Sequence, residues 1–171
     1  MKLPPVSIIA AMTVRGGVIG RDGRMPWSLK SDLKRFQKLT TPSAMVMGPK
    51  TYKSIGRALP GRLSIVITTA RKVEAPPGVE IAHDVSQALH IARRHDYAEC
   101  FAIGGAAVYM HFMPIAEKLY LTEIDADIEG DTRFPHWDTK QWHRITQNLE
   151  WKHHEGDEYP TRFVEYHRLP T

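Results

Sequence analysis

Asp32 is an acid among apolar neighbours. The segment Ser28 to Leu39 predicts an amphipathic helix, with Leu29, Leu33, Phe36 and Leu39 at helical spacing. At about 100° per residue, Asp32 falls between Phe36 and Leu39, inside the apolar arc. Lys30, Ser31, Lys34, Arg35, Gln37 and Lys38 occupy the other side. A carboxylate facing a core costs free energy without partners, and it tends to sit where chemistry or ligand binding uses it. The competing reading is helix-terminus chemistry: an acid near the helix start suits the macrodipole, with Ser28 as N-cap.

Three further segments have residues suited to a ligand. Gly16 to Trp27 is glycine-rich at one end and apolar at the other. It reads as a lid that excludes water, or as a surface loop with a tucked tryptophan. Ile103-Gly104-Gly105-Ala106 joins a strand end to a helix start, where backbone can approach a ligand and free N–H groups can meet phosphate. It reads equally as a tight turn, since G-x-G-x-x-G is absent. Gly48-Pro49-Lys50-Thr51 is a similar junction with a cation and a hydroxyl. Arg62, after Leu59-Pro60-Gly61, suits bidentate pairing with a carboxylate, or simple solvation. The histidines lack ligand-like spacing, so no metal site is expected. GxSxG, Walker A and HExxH are all absent.

These residues need a scaffold. A chain of 171 residues suits one domain spanning 1–171. Val6 to Met12, Ala44 to Met47, Leu63 to Ile67 and Cys100 to Ile103 are continuous apolar runs, the mark of strands covered on both faces. Asp84 suits the N-cap of a helix presenting Val85, Ala88, Leu89 and Ala92. Lys118 to Ile124 reads as a strand. The stretches Trp142–Trp151 and Arg162–His167 suggest a terminal hairpin that places one antiparallel strand at an edge. Strands alternating with helices predict an α/β domain with a mostly parallel sheet, whose ligands bind beyond the carboxyl ends of the strands. The formal charge of +4 is dispersed, which argues against nucleic acid. The lone Cys100 excludes an internal disulfide and suits a reducing compartment. No apolar run has the length of a signal peptide core or a membrane span, so a cytoplasmic protein is expected.

In order and spacing, the anchors resemble those of dihydrofolate reductase from Val6 to about Tyr166. They are Ile9-Ala10-Ala11, Val18-Ile19-Gly20, Met25-Pro26-Trp27 with Asp32 beyond, Met47-Gly48, Thr51, Ser54-Ile55-Gly56-Arg57 and Leu59-Pro60-Gly61-Arg62. Ile103-Gly104-Gly105, Val108-Tyr109, Tyr120-Leu121-Thr122, Glu129-Gly130-Asp131-Thr132 and Phe134-Pro135 complete them. The resemblance implies a mixed, mostly parallel eight-stranded sheet flanked by helices. It also implies NADPH-dependent reduction of 7,8-dihydrofolate to tetrahydrofolate, serving one-carbon metabolism. Hydride passes to pterin C6 and a proton to N5.

By the same resemblance Asp32 is the active-site carboxylate, with Thr122 supporting it and Trp27 beside it. Whether Asp32 relays the proton or only orients the ring stays open. Leu33, Phe36, Ile55 and Leu59 would wall the substrate. Arg62, and less directly Arg57, would hold its glutamate carboxylate. Ile9 and Ile103 would offer backbone carbonyls, with Tyr109 near the nicotinamide. Ala11, Ile19, Gly20, Met25, Gly48, Lys50, Thr51, Thr68, Thr69, Arg71, Gly104, Gly105, Ala106 and Val108 would contact the cofactor. Pro49 and Ala106-Ala107 stand where many bacterial relatives have basic residues for the 2′-phosphate. That duty then falls to Lys50, Thr68, Thr69 and Arg71. A monomer is expected. The competing readings are a same-fold pyrimidine reductase of riboflavin biosynthesis and a non-catalytic binding protein. Asp32 with Arg62 argues against the first, and the complete motif set against the second.

Overall fold

The computed structural model describes residues 2–171. The elements run β1 (Val6–Thr13), β2 (Val18–Gly20), α1 (Lys30–Thr40), β3 (Ser43–Met47), α2 (Pro49–Ile55), β4 (Arg62–Ile67) and β5 (Val79–Ala82). They continue with α3 (Val85–Arg94), β6 (Cys100–Gly104), α4 (Ala106–Phe112), β7 (Lys118–Ile124), β8 (Thr132–Arg133), β9 (Trp142–Arg144) and β10 (Thr161–Arg168). Eight strands form one sheet in the order β5-β4-β3-β6-β1-β7-β10-β9, and β2 and β8 form a separate ribbon.

The apolar runs are explained by two covered faces. Ala44 and Val46 of β3 pack in the cluster that includes Ala88 and Ala92 of α3 and Phe112 of α4. Met45 and Met47 turn the other way, into the cluster of Phe36, Tyr52 and Ile55 from α1 and α2. Alternating side chains of one strand thus serve two helical layers, so neither face can be polar. Asp84 caps α3 as expected, accepting from the Gln87 N–H at 2.8 Å.

The expected terminal hairpin is present, and its edge strand pairs antiparallel. β10 runs against both β7 and β9, and β9 forms the edge. β9 is also short, because pairing beyond Arg144 gives way to single contacts such as the Ile145 N–H to the Glu165 carbonyl, 2.8 Å.

One expectation needs correcting, and it concerns α1. Ser28 is not its N-cap; Leu29 occupies that position without a side-chain bond. The free N–H groups are met from 126 residues away. Asp157 accepts from the Ser31 N–H at 3.0 Å and from the Ser31 hydroxyl. Glu158 accepts from the Ser28 N–H at 2.5 Å. Asp157 thus satisfies an orphan donor of the first turn and complements the macrodipole, while Glu158 fixes the chain just ahead of the cap. Burial pushes the Asp157 carboxyl up, but the Ser31 hydroxyl and N–H outweigh it, and the group sits below its ordinary value.

Candidate active site

Asp32 lies in the first turn of α1 with its side chain only 20% exposed. The Thr122 hydroxyl, from β7, donates to its Oδ1 at 2.6 Å. Burial raises the Asp32 pKa, while the Thr122 bond and the Arg35 charge pull it back and the Asp157 charge adds to the rise. Desolvation prevails, so the carboxyl picks up a proton more readily than an exposed one. Helix capping does not account for Asp32, since Asp157 performs it.

Beside Asp32 two adjacent strands, β1 and β6, converge on one hydroxyl. Tyr109 Oη lies 2.9 Å from the carbonyl oxygens of both Ile9 and Ile103. One hydroxyl hydrogen serves one acceptor fully at a time, so these carbonyls retain capacity for another donor. Burial, with a smaller contribution from the Asp32 charge, raises the Tyr109 pKa and keeps the phenol neutral. Trp27 is buried against Leu29, Ile124 and Ala126. The tucked tryptophan of the sequence reading is therefore real.

An apolar wall extends from Asp32. Phe36, Ile55, Leu59 and Ile103 are partly buried around Met45 and Met47. Leu33 is 55% exposed, too open for a core leucine. Beyond this wall, at the start of β4, Arg62 is anchored by the protein itself. Its Nε donates to the Pro60 carbonyl at 3.1 Å and its Nη1 to the Thr40 hydroxyl at 3.2 Å. Its remaining N–H groups keep the fork available. Arg57 is exposed in the α2–β4 connection.

Two glycine junctions meet where β3 and β6 end. The Gly48 N–H donates to the Gly104 carbonyl at 2.8 Å. Gly104 adopts φ +129°, and a Cβ there would lie 3.4 Å from Tyr109 Oη and 3.5 Å from Thr51 Oγ1. Those are ordinary contacts, so it is the backbone angle that requires glycine. The Gly104–Gly105 peptide is cis. Gly48 lies near Val108 and Gly105, so Gly48, Thr51, Gly104, Gly105 and Val108 share one surface beside Tyr109. Ala106 opens α4. Thr68 and Thr69 follow β4, with Thr69, Arg71 and Lys50 exposed. This bare backbone, with hydroxyls and a cation at its margin, fits a long phosphorylated cofactor.

The segment Gly16 to Trp27 is tied to its neighbour. β2, with Ile19 and Gly20, pairs with β8. Gly20 O accepts from the Asp131 N–H at 3.2 Å, and Asp131 Oδ2 accepts from the Asp22 N–H at 2.9 Å. Arg133 donates to the Gly16 carbonyl at 2.6 Å. Met25 is 53% exposed at the rim. Ala11, in β1, packs beside the Trp27 cluster.

Sequence reasoning missed two contributors. Asp157 is invisible because its partner is so distant in the chain. Arg35 carried a legible signal, its i+3 spacing from Asp32, and its Nη1 lies 3.7 Å from Asp32 Oδ1.

The family profile described as dihydrofolate reductase matches residues 5–168. Dihydrofolate reductase HdrB of Haloferax volcanii is 44% identical over 145 residues, covering 79% of this chain and 73% of that protein. The dihydrofolate reductase of Bacillus subtilis is 37% identical over 163 residues, 95% of this chain and 94% of that one. The solved structure of Enterococcus faecalis dihydrofolate reductase, complexed with NADP(H) and RAB-propyl, superposes with a TM-score of 0.84. Identity there is 32%, over 97% of each chain. Sequence and overall fold agree, and the chain belongs to the dihydrofolate reductase family.

Proposed function

We propose that Asp32 anchors the pterin in the family's reaction, the NADPH-dependent reduction of 7,8-dihydrofolate to 5,6,7,8-tetrahydrofolate. The observation that carries this reading is a half-buried carboxylate, fixed by Thr122 and set at the head of an apolar wall that ends at Arg62. The carboxylate accepts from the pterin amino group and ring N–H, which fixes the face that the ring presents. The carbonyls of Ile9 and Ile103 accept from pterin N–H groups at the inner end. Leu33, Phe36, Ile55 and Leu59 hold the ring and the aminobenzoyl group away from water. Arg62 clamps the glutamate carboxylate, and Arg57 adds positive charge nearby. Trp27 closes the site beside Asp32 and limits water to the proton's route toward N5.

NADPH, when bound, supplies the hydride that pterin C6 receives. Gly48, Thr51, Gly104, Gly105, Ala106 and Val108 offer backbone and hydroxyl groups to its phosphates. Ala11, Ile19, Gly20, Met25 and Tyr109 enclose the nicotinamide end. Lys50, Thr68, Thr69 and Arg71 hold the 2′-phosphate, because Pro49 and Ala107 carry no charge. The protein works as one cytoplasmic domain and as a monomer. One eight-stranded sheet that joins β1 near the start of the chain to β10 near its end supports the first point. No helix among the described residues is long and apolar enough to cross a membrane.

The test is direct. Purified protein mixed with NADPH and dihydrofolate is followed by the loss of reduced-nicotinamide absorbance; a rate equal to the blank refutes the reading. Arg62→Leu separates binding from chemistry. We expect the KM for dihydrofolate to rise about 30- to 1,000-fold, the loss of roughly 2–4 kcal/mol for a desolvated charge pair. kcat should change little, since a clamp distant from C6 binds ground and transition states alike. An unchanged KM removes Arg62 from substrate binding.

A further inference from the structure

Arg35 is the cation next to the active-site carboxylate, and its surroundings differ from those of an ordinary surface pair. Its Nη1 is buried from solvent and has no hydrogen-bond partner. At 3.7 Å from Asp32 Oδ1 it is beyond hydrogen-bond length, so the attraction is electrostatic. The guanidinium carbon lies 4.6 Å from the centre of the Phe163 ring, which in turn stacks on Tyr120. A buried guanidinium N–H without an acceptor is a rare exception in folded proteins and calls for a reason.

The sheet register supplies one. Phe163 of β10 is the direct cross-strand partner of Thr122 of β7. One locked pair thus delivers two groups to the same oxygen: the Thr122 hydroxyl directly, and the Arg35 charge through the ring on which it rests. Asp32 Oδ2 takes no hydrogen bond among the described residues. Arg35 also lines a cavity of about 240 Å³ with Thr161, Arg162 and Phe163 of β10, and none of the substrate-wall residues lines that cavity. Arg35 therefore acts on Asp32 from the β10 side, clear of the substrate wall.

We propose that Arg35 is a positioning residue for the family's reaction: a fixed cation, held on Phe163, that orients the Asp32 carboxylate and holds it ionised until substrate arrives. The inference rests on the reading of Asp32 above. The other groups facing this pair are few. Asp157 opposes Arg35 by disfavouring a charged Asp32. Tyr109 is neutral. On the cavity side Arg162 is paired with Glu123, and Glu150, Lys152 and His154 stand farther along the lining.

The test uses Arg35→Met, which keeps length and bulk, and Arg35→Lys, which keeps the charge. Carboxyl-carbon NMR of aspartate-labelled free protein reads the Asp32 midpoint without turnover, and the pH profile of dihydrofolate reduction is read in parallel. An opposite charge at this distance lowers a carboxyl midpoint by about one pH unit or more. In Arg35→Met the Asp32 midpoint should therefore rise by about one unit, and the pH profile should move upward with it. Arg35→Lys should restore at least half of both shifts. An unmoved Asp32 midpoint in Arg35→Met overturns the proposal, as does a moved midpoint with an unmoved profile. Absence of turnover in the parent protein refutes the proposed reaction instead, and the NMR midpoint still reports whether Arg35 governs Asp32.

Discussion

Asp32→Asn should slow dihydrofolate reduction at neutral pH by about 10²- to 10³-fold, within the usual range for losing a positioned acid–base group. The substitution preserves shape and reverses polarity at one atom. Thr122 donates to Oδ1, so the Asn oxygen takes that place and its amide NH2 points outward. There it faces a pterin edge that itself presents donors. Two donors then meet where a donor and an acceptor met, which both weakens binding and tilts the ring. Steady-state kcat and KM with single-turnover hydride rates measure the loss; rates within fivefold of the parent exclude Asp32 from the mechanism.

The same variant should be more stable than the parent at neutral pH. Burial raises the Asp32 pKa above its ordinary 3.8. Its stabilising contribution is complete below the unfolded value and is lost as pH rises through the folded one. An Asn suffers no such loss. The Tm difference between variant and parent should therefore grow as pH rises from about 4, and then level off. A carboxylate serving only as helix support would give the opposite result, with activity kept and stability reduced.

The clarity with which the sequence disclosed this site follows chain distance. The apolar runs of β1, β3, β4 and β6 carry their own explanation, because alternate residues of each strand serve two layers. Asp32 showed its anomaly within one helix. Arg62 gave only a hint, since its support from Thr40 and the Pro60 carbonyl is tertiary. The capping of α1 by Asp157, and the tie of Glu158 to Ser28 just ahead of it, had no local trace. Ser28 was the reasonable local candidate and lost to partners about 130 residues away. The short β9 was concealed for another reason: the 145–160 connection is polar and irregular, and strand propensity does not determine where pairing ends. The resemblance brought together what local physics kept apart, Thr122 with Asp32 above all. It offered nothing about Arg35, whose role depends on the ring of Phe163.

The second large effect concerns the segment Gly16 to Trp27, which the sequence reads as a lid. Gly130→Ala should lower turnover by about 5- to 150-fold while leaving the main sheet folded. A Cβ on Gly130 would lie 2.3 Å from Val18 Cγ1 and 2.5 Å from the Gly20 carbonyl oxygen. Neither neighbour can yield cheaply. Val18 is buried, and the carbonyl is backbone already engaged by the Asp131 N–H. The cheapest relief is to part residues 129–131 from 18–22. That breaks the Asp131–Gly20 and Asp22–Asp131 bonds at 3.2 and 2.9 Å and disfavours the closed arrangement. Overpacking of this kind costs about 1–3 kcal/mol. If the whole cost falls on closure, the reactive population falls by the factor stated. The discriminating comparison is Asp131→Ala, which removes the Asp22 bond without a clash and should do less harm. Hydrogen exchange should accelerate at the amides of residues 18–22 in Gly130→Ala and stay unchanged in β1 and β7, which lie in the main sheet. Normal turnover with normal exchange would show that the 129–131 contact has no part in catalysis. Normal turnover with fast exchange would show that the segment need not stay closed for the reaction.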